Sequence, residues 1–207
     1  GMSSRLEEFV DLFPIHPSYI DVFNKLYLIE NRHILKNIST TIKDIFDTNV
    51  PENAPGIISF DNYWPAIKSN GLLKSDPTIS RVVGASQQLE DIIVRAFPKA
   101  AYKPMAMQII YALSVHRLTT NGLDVQFGMT AENLKDDLCL YMMMPEQDAD
   151  FLLSAVKVTL KEIMTTVSGQ FIICNEANNQ YYIDVDKVVD YDEKIKQKAT
   201  LLADDEL

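Results

Sequence analysis

The chain has 207 residues, of which 47% are apolar, and a formal net charge of −10 from 29 acidic and 19 basic side chains. That length suits one large or two small domains with a real buried core. The acidic balance argues against a free-standing duplex-DNA binder, whose affinity comes mostly from cations on phosphates.

No run approaches the roughly 18 apolar residues of a membrane span, and no secretory signal opens the sequence. The two cysteines, Cys139 and Cys174, have apolar neighbours and read as free thiols of a reducing compartment rather than a disulfide. A cytoplasmic protein is the expectation. Gly1 before Met2 reads as the scar of a cleaved tag, and the chain as a piece of something longer.

In chain order, Ser3 to Leu12 reads as a short amphipathic helix, with Ser4 as a candidate cap. Phe13-Pro14-Ile15-His16-Pro17 ends it, because each proline fixes its own φ and pushes the preceding residue towards extended backbone. Ser18 is the expected cap of a second helix, with Tyr19, Val22, Phe23, Leu26 and Ile29 as its buried stripe. Asn31 starts a third, in which Ile34, Leu35, Ile38, Ile42, Ile45 and Phe46 recur at three- and four-residue steps. Residues 3–48 thus read as a helical bundle.

Residues 49–101 read as connecting loops and one long helix. Ile57 to Phe60 is a brief extended segment. Asp61-Asn62-Tyr63-Trp64-Pro65 carries the only tryptophan, read as a core anchor rather than a ligand platform. Ser69 to Pro77 is a loop. Ile79 to Phe97 is the long helix, with Val82, Val83, Leu89, Ile92, Ile93 and Phe97 inward, expected to link the bundle to a second domain.

Residues 102–186 read as that domain, a winged helix. Its first helix is Pro104 to Leu118, followed by a turn and a short strand, Leu123 to Phe127. Thr130 caps the second helix, Ala131 to about Cys139; Asn133 takes the place where a capping box prefers Glu or Gln. Met142-Met143-Met144-Pro145 ends it. Asp148 or Ala149 opens the third helix, with Phe151, Leu152, Val156, Leu160, Ile163 and Val167 at helical spacing, and Ser168-Gly169 stops it. Gln170 to Ile173 and Gln180 to Ile183 then read as two strands around an Asn-rich turn. Residues 187–207 hold a last amphipathic helix, Asp190 to Leu202, and an acidic tail. The expected fold class is mainly α with one small β-hairpin: a helical bundle followed by a winged helix.

The chemistry is sparse. None of the seven glycines lies in a GxxxxGK[ST] or GxGxxG arrangement, so no phosphate-cradling loop is encoded. His16, His33, His116 and the cysteines lack zinc spacing. With no catalytic motif or metal set, the chain by itself reads as non-catalytic, with no cofactor of its own. Asp136 and Asp137 are adjacent on a helix and point about 100° apart, which suits a solvated face better than a shared substrate. His116-Arg117 fits either a helix C-terminal dipole partner or a contact with a phosphate or an acidic neighbour. Asn178 to Tyr182 fits hairpin chemistry, with a groove contact as the other reading.

From Asp124 to Asp186 there are eleven acids, and the only bases are Lys135, Lys157 and Lys161. Lys157 and Lys161, four apart on the third helix, are the only candidate DNA contacts there. A protein-facing winged helix fits these charges better than a groove reader.

Several stretches carry a family resemblance. Phe13-Pro14-Ile15-His16-Pro17 followed by Arg32 resembles the lid region of ATPases related to origin-recognition AAA+ proteins. Ile57 to Pro65, Ala112 to Thr120, Met129 to Cys139 and Val167 to Ile172 resemble the large P-loop ATPases of bacteriophage-exclusion (BREX, or phage-growth-limitation) systems. The resemblance runs from about Phe9 to Lys198. It implies a much longer parent with its nucleotide-binding core upstream, using ATP and Mg²⁺. This chain would then be a lid plus winged helix, partnered by that core and by other defence-system proteins, with weak DNA contact at most and no membrane. On the same resemblance Arg32 is a nucleotide-sensing arginine; a structural ion pair with Glu30 or Asp21 stands beside that reading. The alternative for the whole chain is an independent winged-helix DNA-binding regulator.

Overall fold

The computed structural model describes residues 2–26, 43, 47, 49, 56–120, 127–138, 140 and 148–186. Outside the described residues lie the third helix expected from Asn31, Arg32, Leu123 to Gln126 of the expected short strand, Cys139, Met142 to Pro145 and the helix expected from Asp190. Among the described residues the fold is mainly helical with one two-stranded antiparallel hairpin, the class expected from the sequence.

α1 (Met2–Leu12) and α2 (Pro17–Lys25) are joined by the proline-flanked turn. Its extended backbone is used: the His16 N–H donates to the Ile58 carbonyl at 2.9 Å and the Ile58 N–H to the Pro14 carbonyl at 2.8 Å, a parallel bridge between Ile15 and Ile58. The expected Ser18 cap is corrected. His16 is the N-cap, its Nδ1 accepting from the Ser18 N–H at 3.1 Å, and Pro17 opens the helix where a missing N–H costs nothing. Tyr19 stacks on Tyr63 with ring centroids 4.1 Å apart, fixing α2 over the next segment.

A 3-10 turn at Phe60–Asn62 runs into α3 (Tyr63–Ser69), and Phe60, Tyr63, Trp64 and Ile67 are all buried. Trp64 is 1% exposed, which makes it the core anchor expected. α4 (Pro77–Ala96) starts two residues before the apolar pattern does, because Asp76 caps it: its Oδ1 accepts from the Thr78 and Ile79 N–H groups at 2.8 and 3.1 Å. Ile79, Val82, Ala85, Leu89 and Ile93 form its buried stripe, along α5 (Lys103–Arg117). The long helix expected as a link is therefore part of one hydrophobic core that extends from Tyr19 to Val185. A half-buried polar knot ties α3, α4 and α5: Lys68 Nζ donates to Glu90 at 2.9 Å, and the Tyr111 hydroxyl donates to the same carboxylate at 2.9 Å.

α5 is the centre. Met105, Ala106, Ile109, Ile110, Ala112, Leu113 and Val115 are buried on nearly every side of it, the mark of an enclosed helix. α6 (Ala131–Leu138) opens with a reciprocal cap in which Asn133 does what Glu or Gln does elsewhere: Thr130 Oγ1 accepts from the Asn133 N–H at 3.1 Å, and Asn133 Oδ1 accepts from the Thr130 N–H at 3.2 Å. α7 (Ala149–Thr166) is capped by Asp148 and ends at Ser168 and Gly169, both with positive φ; the Gly169 N–H reaches back to the Met164 carbonyl at 2.9 Å.

The hairpin is β1 (Ile172–Asn175) and β2 (Gln180–Ile183), with Ile172 opposite Ile183 and Asn175 opposite Gln180. β1 sits two residues later than the sequence suggested. Phe171 has φ +63°, its ring is buried, and its carbonyl accepts from the Asp184 N–H at 3.0 Å, so Gln170 and Phe171 make the corner rather than the strand. Met129 exchanges two backbone hydrogen bonds with Tyr181, at 3.0 and 2.8 Å, adding an isolated antiparallel bridge on the other side of β2.

Candidate functional site

This arrangement creates two surfaces of interest: the outward face of α7 with the hairpin, and a cleft where α2 meets the end of α5.

α7 buries Ala155, Val156, Thr159, Leu160 and Ile163 and leaves Phe151, Ser154, Lys157, Val158, Lys161 and Thr165 exposed. Lys157 is held by Glu132 of α6, Nζ to Oε1 at 3.1 Å. Backbone hydrogen bonding and then Lys157 keep the Glu132 carboxyl below the usual glutamate range. Lys161 is exposed beside it. At the flank, Glu162 pairs with Lys99 at 3.1 Å. Of the two lysines singled out from the sequence, one is therefore already committed to an acid. The hairpin tip spends its side chains internally: Asn175 Oδ1 accepts from the Ala177 N–H and Asn178 Oδ1 from the Gln180 N–H, both at 3.0 Å.

Asp136 and Asp137 diverge, as helix geometry requires. Asp136 pairs with its neighbour Lys135 at 3.1 Å, while the Asp137 carbonyl accepts from Ser18 Oγ at 2.8 Å, pinning α2 to α6. Arg117 is buried, its guanidinium 5.2 Å from the centre of the Tyr182 ring. Burial pulls its pKa down, while the Tyr182 ring and Asp186 and Asp184 favour the charged form. The contact the geometry shows for that arginine is the Tyr182 ring. Arg32 lies outside the described residues.

The cleft has a volume of about 650 Å³ and is lined by Asp21, Lys25, Phe60, His116, Phe127, Asn133, Asp137 and Gln180, among others. The His116 ring lies 5.4 Å from that of Phe127. Burial, and then the nearby charges of Lys25 and Arg117, bring the His116 pKa down to about 4. At neutral pH it is a neutral hydrogen-bonding ring and contributes no charge to the α5 dipole. No sequence pattern pointed to this cleft, because its walls come from segments as far apart in sequence as Asp21 and Gln180. Among the described residues no group of three or more His, Cys, Asp or Glu could hold a metal ion, and no helix is long and apolar enough to cross a membrane.

Next to the cleft wall at Phe60, Asp61 is buried, and burial pushes its pKa up to about 6 although the Ser59 hydroxyl donates to it. Its charged form costs stability. That cost is absent below the unfolded value near 3.8 and grows as pH rises towards 6, to about 3 kcal/mol. His116 acts oppositely, losing stability as pH falls from 6.5 towards 4. Asp61→Asn is therefore expected to be more stable than the native chain at pH 7.5, with the advantage fading near pH 4; urea denaturation at both values measures it. An Asn variant less stable at pH 7.5 contradicts the charge cost.

With this geometry in hand, comparison with known proteins gives a match to the family described as the DUF6079 second domain, over residues 1–189. The chain belongs to that family. The matched span takes in every described element from α1 to β2, so the helices before the hairpin and the hairpin itself fall within one family domain. No curated protein and no solved structure matches the chain.

Proposed function

We propose that this domain is a non-catalytic interaction module of a larger phage-resistance P-loop ATPase, in which α5, α6, α7 and the hairpin act as a winged helix facing protein rather than DNA. The order helix, strand contact, helix, helix, hairpin supports the winged-helix reading, with Met129 pairing antiparallel to the second strand of the wing. A family defined as a second domain suits a unit that works beside another domain, here the upstream ATPase core, which would bind ATP and Mg²⁺. Arg32 would serve that core as a nucleotide sensor.

The observation that carries the protein-facing part is electrostatic. The exposed face of α7 presents Lys161 and a Lys157 bound to Glu132, with Asp150 in its first turn. Two phosphate contacts at most release too few counterions for useful affinity. Duplex DNA should therefore bind no tighter than ~10⁻⁴ M, the weak end of the non-specific range. A fluorescence-anisotropy titration at about 0.15 M salt, where screening reaches ~8 Å, tests this. Sub-micromolar binding lost on Lys157→Glu with Lys161→Glu would favour the independent DNA-binding regulator instead.

A further inference from the structure

α1 is amphipathic, but its apolar stripe is uncovered. Leu6, Val10 and Phe13 are 65%, 66% and 63% exposed and follow one another at four- and three-residue steps, which places them on one side of the helix. Isolated exposed apolar residues need no explanation, whereas a contiguous stripe marks a contact surface. Glu7 and Asp11 are exposed on its flank, while Glu8 is exposed on the opposite side of the helix. The Phe9 ring meets His16 edge-on at 5.6 Å and ties α1 to the start of α2.

A surface of opposite character lies at the corner between α4 and α5. Val94 is 51% exposed, and Ala96, Pro98, Ala100 and Ala101 are exposed beside it. The cations there are Arg95, Lys99 and Lys103: Lys99 is half-exposed although paired with Glu162, and Lys103 Nζ donates to the Val94 carbonyl. The corner is at the Lys103 end of α5, whereas α2, to which α1 is joined, lines the cleft at the Arg117 end, ~21 Å away along the axis. Both surfaces are exposed in one and the same chain, so neither covers the other.

We propose that these surfaces meet between copies: the acidic, apolar face of α1 on one chain docks on the basic, small-residue corner from Val94 to Lys103 of another. Charge favours this pairing: α1 on α1 would set Glu7 and Asp11 of two copies against each other, and corner on corner would do the same for Arg95 and Lys103, with Lys99 already paired to Glu162. The contact is head-to-tail, so a bound pair still offers one free α1 face and one free corner, and assembly continues until a ring closes. It is independent of the reading of the hairpin as a wing.

The test is sedimentation velocity on the 207-residue chain over a range of concentrations, at low and high salt. The average mass should rise with concentration and fall back when salt is added. Val10→Glu with Phe13→Ser changes only exposed side chains and should weaken association at least tenfold. Glu7→Lys with Asp11→Lys, and separately Arg95→Glu with Lys103→Glu, should each weaken it likewise, and mixing these two charge-reversed proteins should restore it, since each then complements the other. Circular dichroism confirms that each variant is folded. A monomer at every concentration overturns the proposal. So does association that depends on the α1 variants alone, which means α1 pairs with itself, or a mixture that stays monomeric.

Discussion

Replacing Trp64 with alanine is expected to lower the unfolding free energy by about 3–5 kcal/mol. The indole is 1% exposed and is one of the largest fully buried side chains, with Tyr63, Phe60 and Ile67 as near neighbours in sequence that are buried with it. Removing it empties a volume on α3 that the rigid helices around it cannot refill, so the loss combines a transfer cost with a cavity cost. A domain of ordinary stability has only about 5–15 kcal/mol to lose, so this variant should unfold at a much lower urea concentration. Trp64 Nε1 has no hydrogen-bond partner among the described residues. Trp64→Phe therefore gives up no polar contact and should cost far less, on the order of 1–2 kcal/mol. Denaturation followed by circular dichroism separates the two variants. An unchanged midpoint for the alanine variant would place the indole at the surface and revive its reading as a ligand platform.

Gly128→Ala should be nearly as damaging, by a different route. A Cβ at Gly128 would sit 2.0 Å from the Tyr181 carbonyl oxygen and 2.6 Å from its carbon. Both are backbone atoms, so no side chain can swing away, and the segment must move off β2 by more than ~1 Å to restore contact distance. That movement breaks the two Met129–Tyr181 hydrogen bonds and the one from the Gly128 N–H to Gln180 Oε1 at 3.2 Å. A loss of about 2–4 kcal/mol is expected from overpacking together with unpaired backbone groups. Gly71→Ala is the control, since nothing lies within 4 Å of its added carbon. Amide exchange should quicken at Met129 and Tyr181 in the Gly128 variant. A variant as stable as the native chain would mean that the strand contact to β2 is not formed.

Trp64 and the helix-then-hairpin pattern were legible because burial and periodicity coincide there: Val156, Leu160 and Ile163 mark one face of α7, and the Asn-rich turn sets off two runs of β-forming residues. Boundaries were less legible where a polar residue overrides the pattern. His16 in place of Ser18, and Asp76 with Pro77, start helices earlier than the apolar residues do, and Phe171 adopts a positive φ that no propensity favours for an aromatic residue. Gly128 gave no sign in one dimension, because its reason is a carbonyl 53 residues later. The candidate surfaces divide the same way. The poverty of cations on α7 was visible as composition, but the capture of Lys157 by Glu132 was not, since it needs α6 and α7 side by side. Arg32 rests on the family resemblance alone and lies outside the described residues.

The central proposal is that this chain acts as the non-catalytic partner of an ATPase core in the same polypeptide. The most direct measurement is steady-state ATP hydrolysis with Mg²⁺, comparing the purified 207-residue chain with the longer polypeptide that this proposal requires. Turnover is expected from the longer protein and none above a control preparation from the isolated chain, with no tight ATP binding by the latter. Turnover by the isolated chain, or a longer polypeptide that neither binds nor hydrolyses ATP, would contradict the claim.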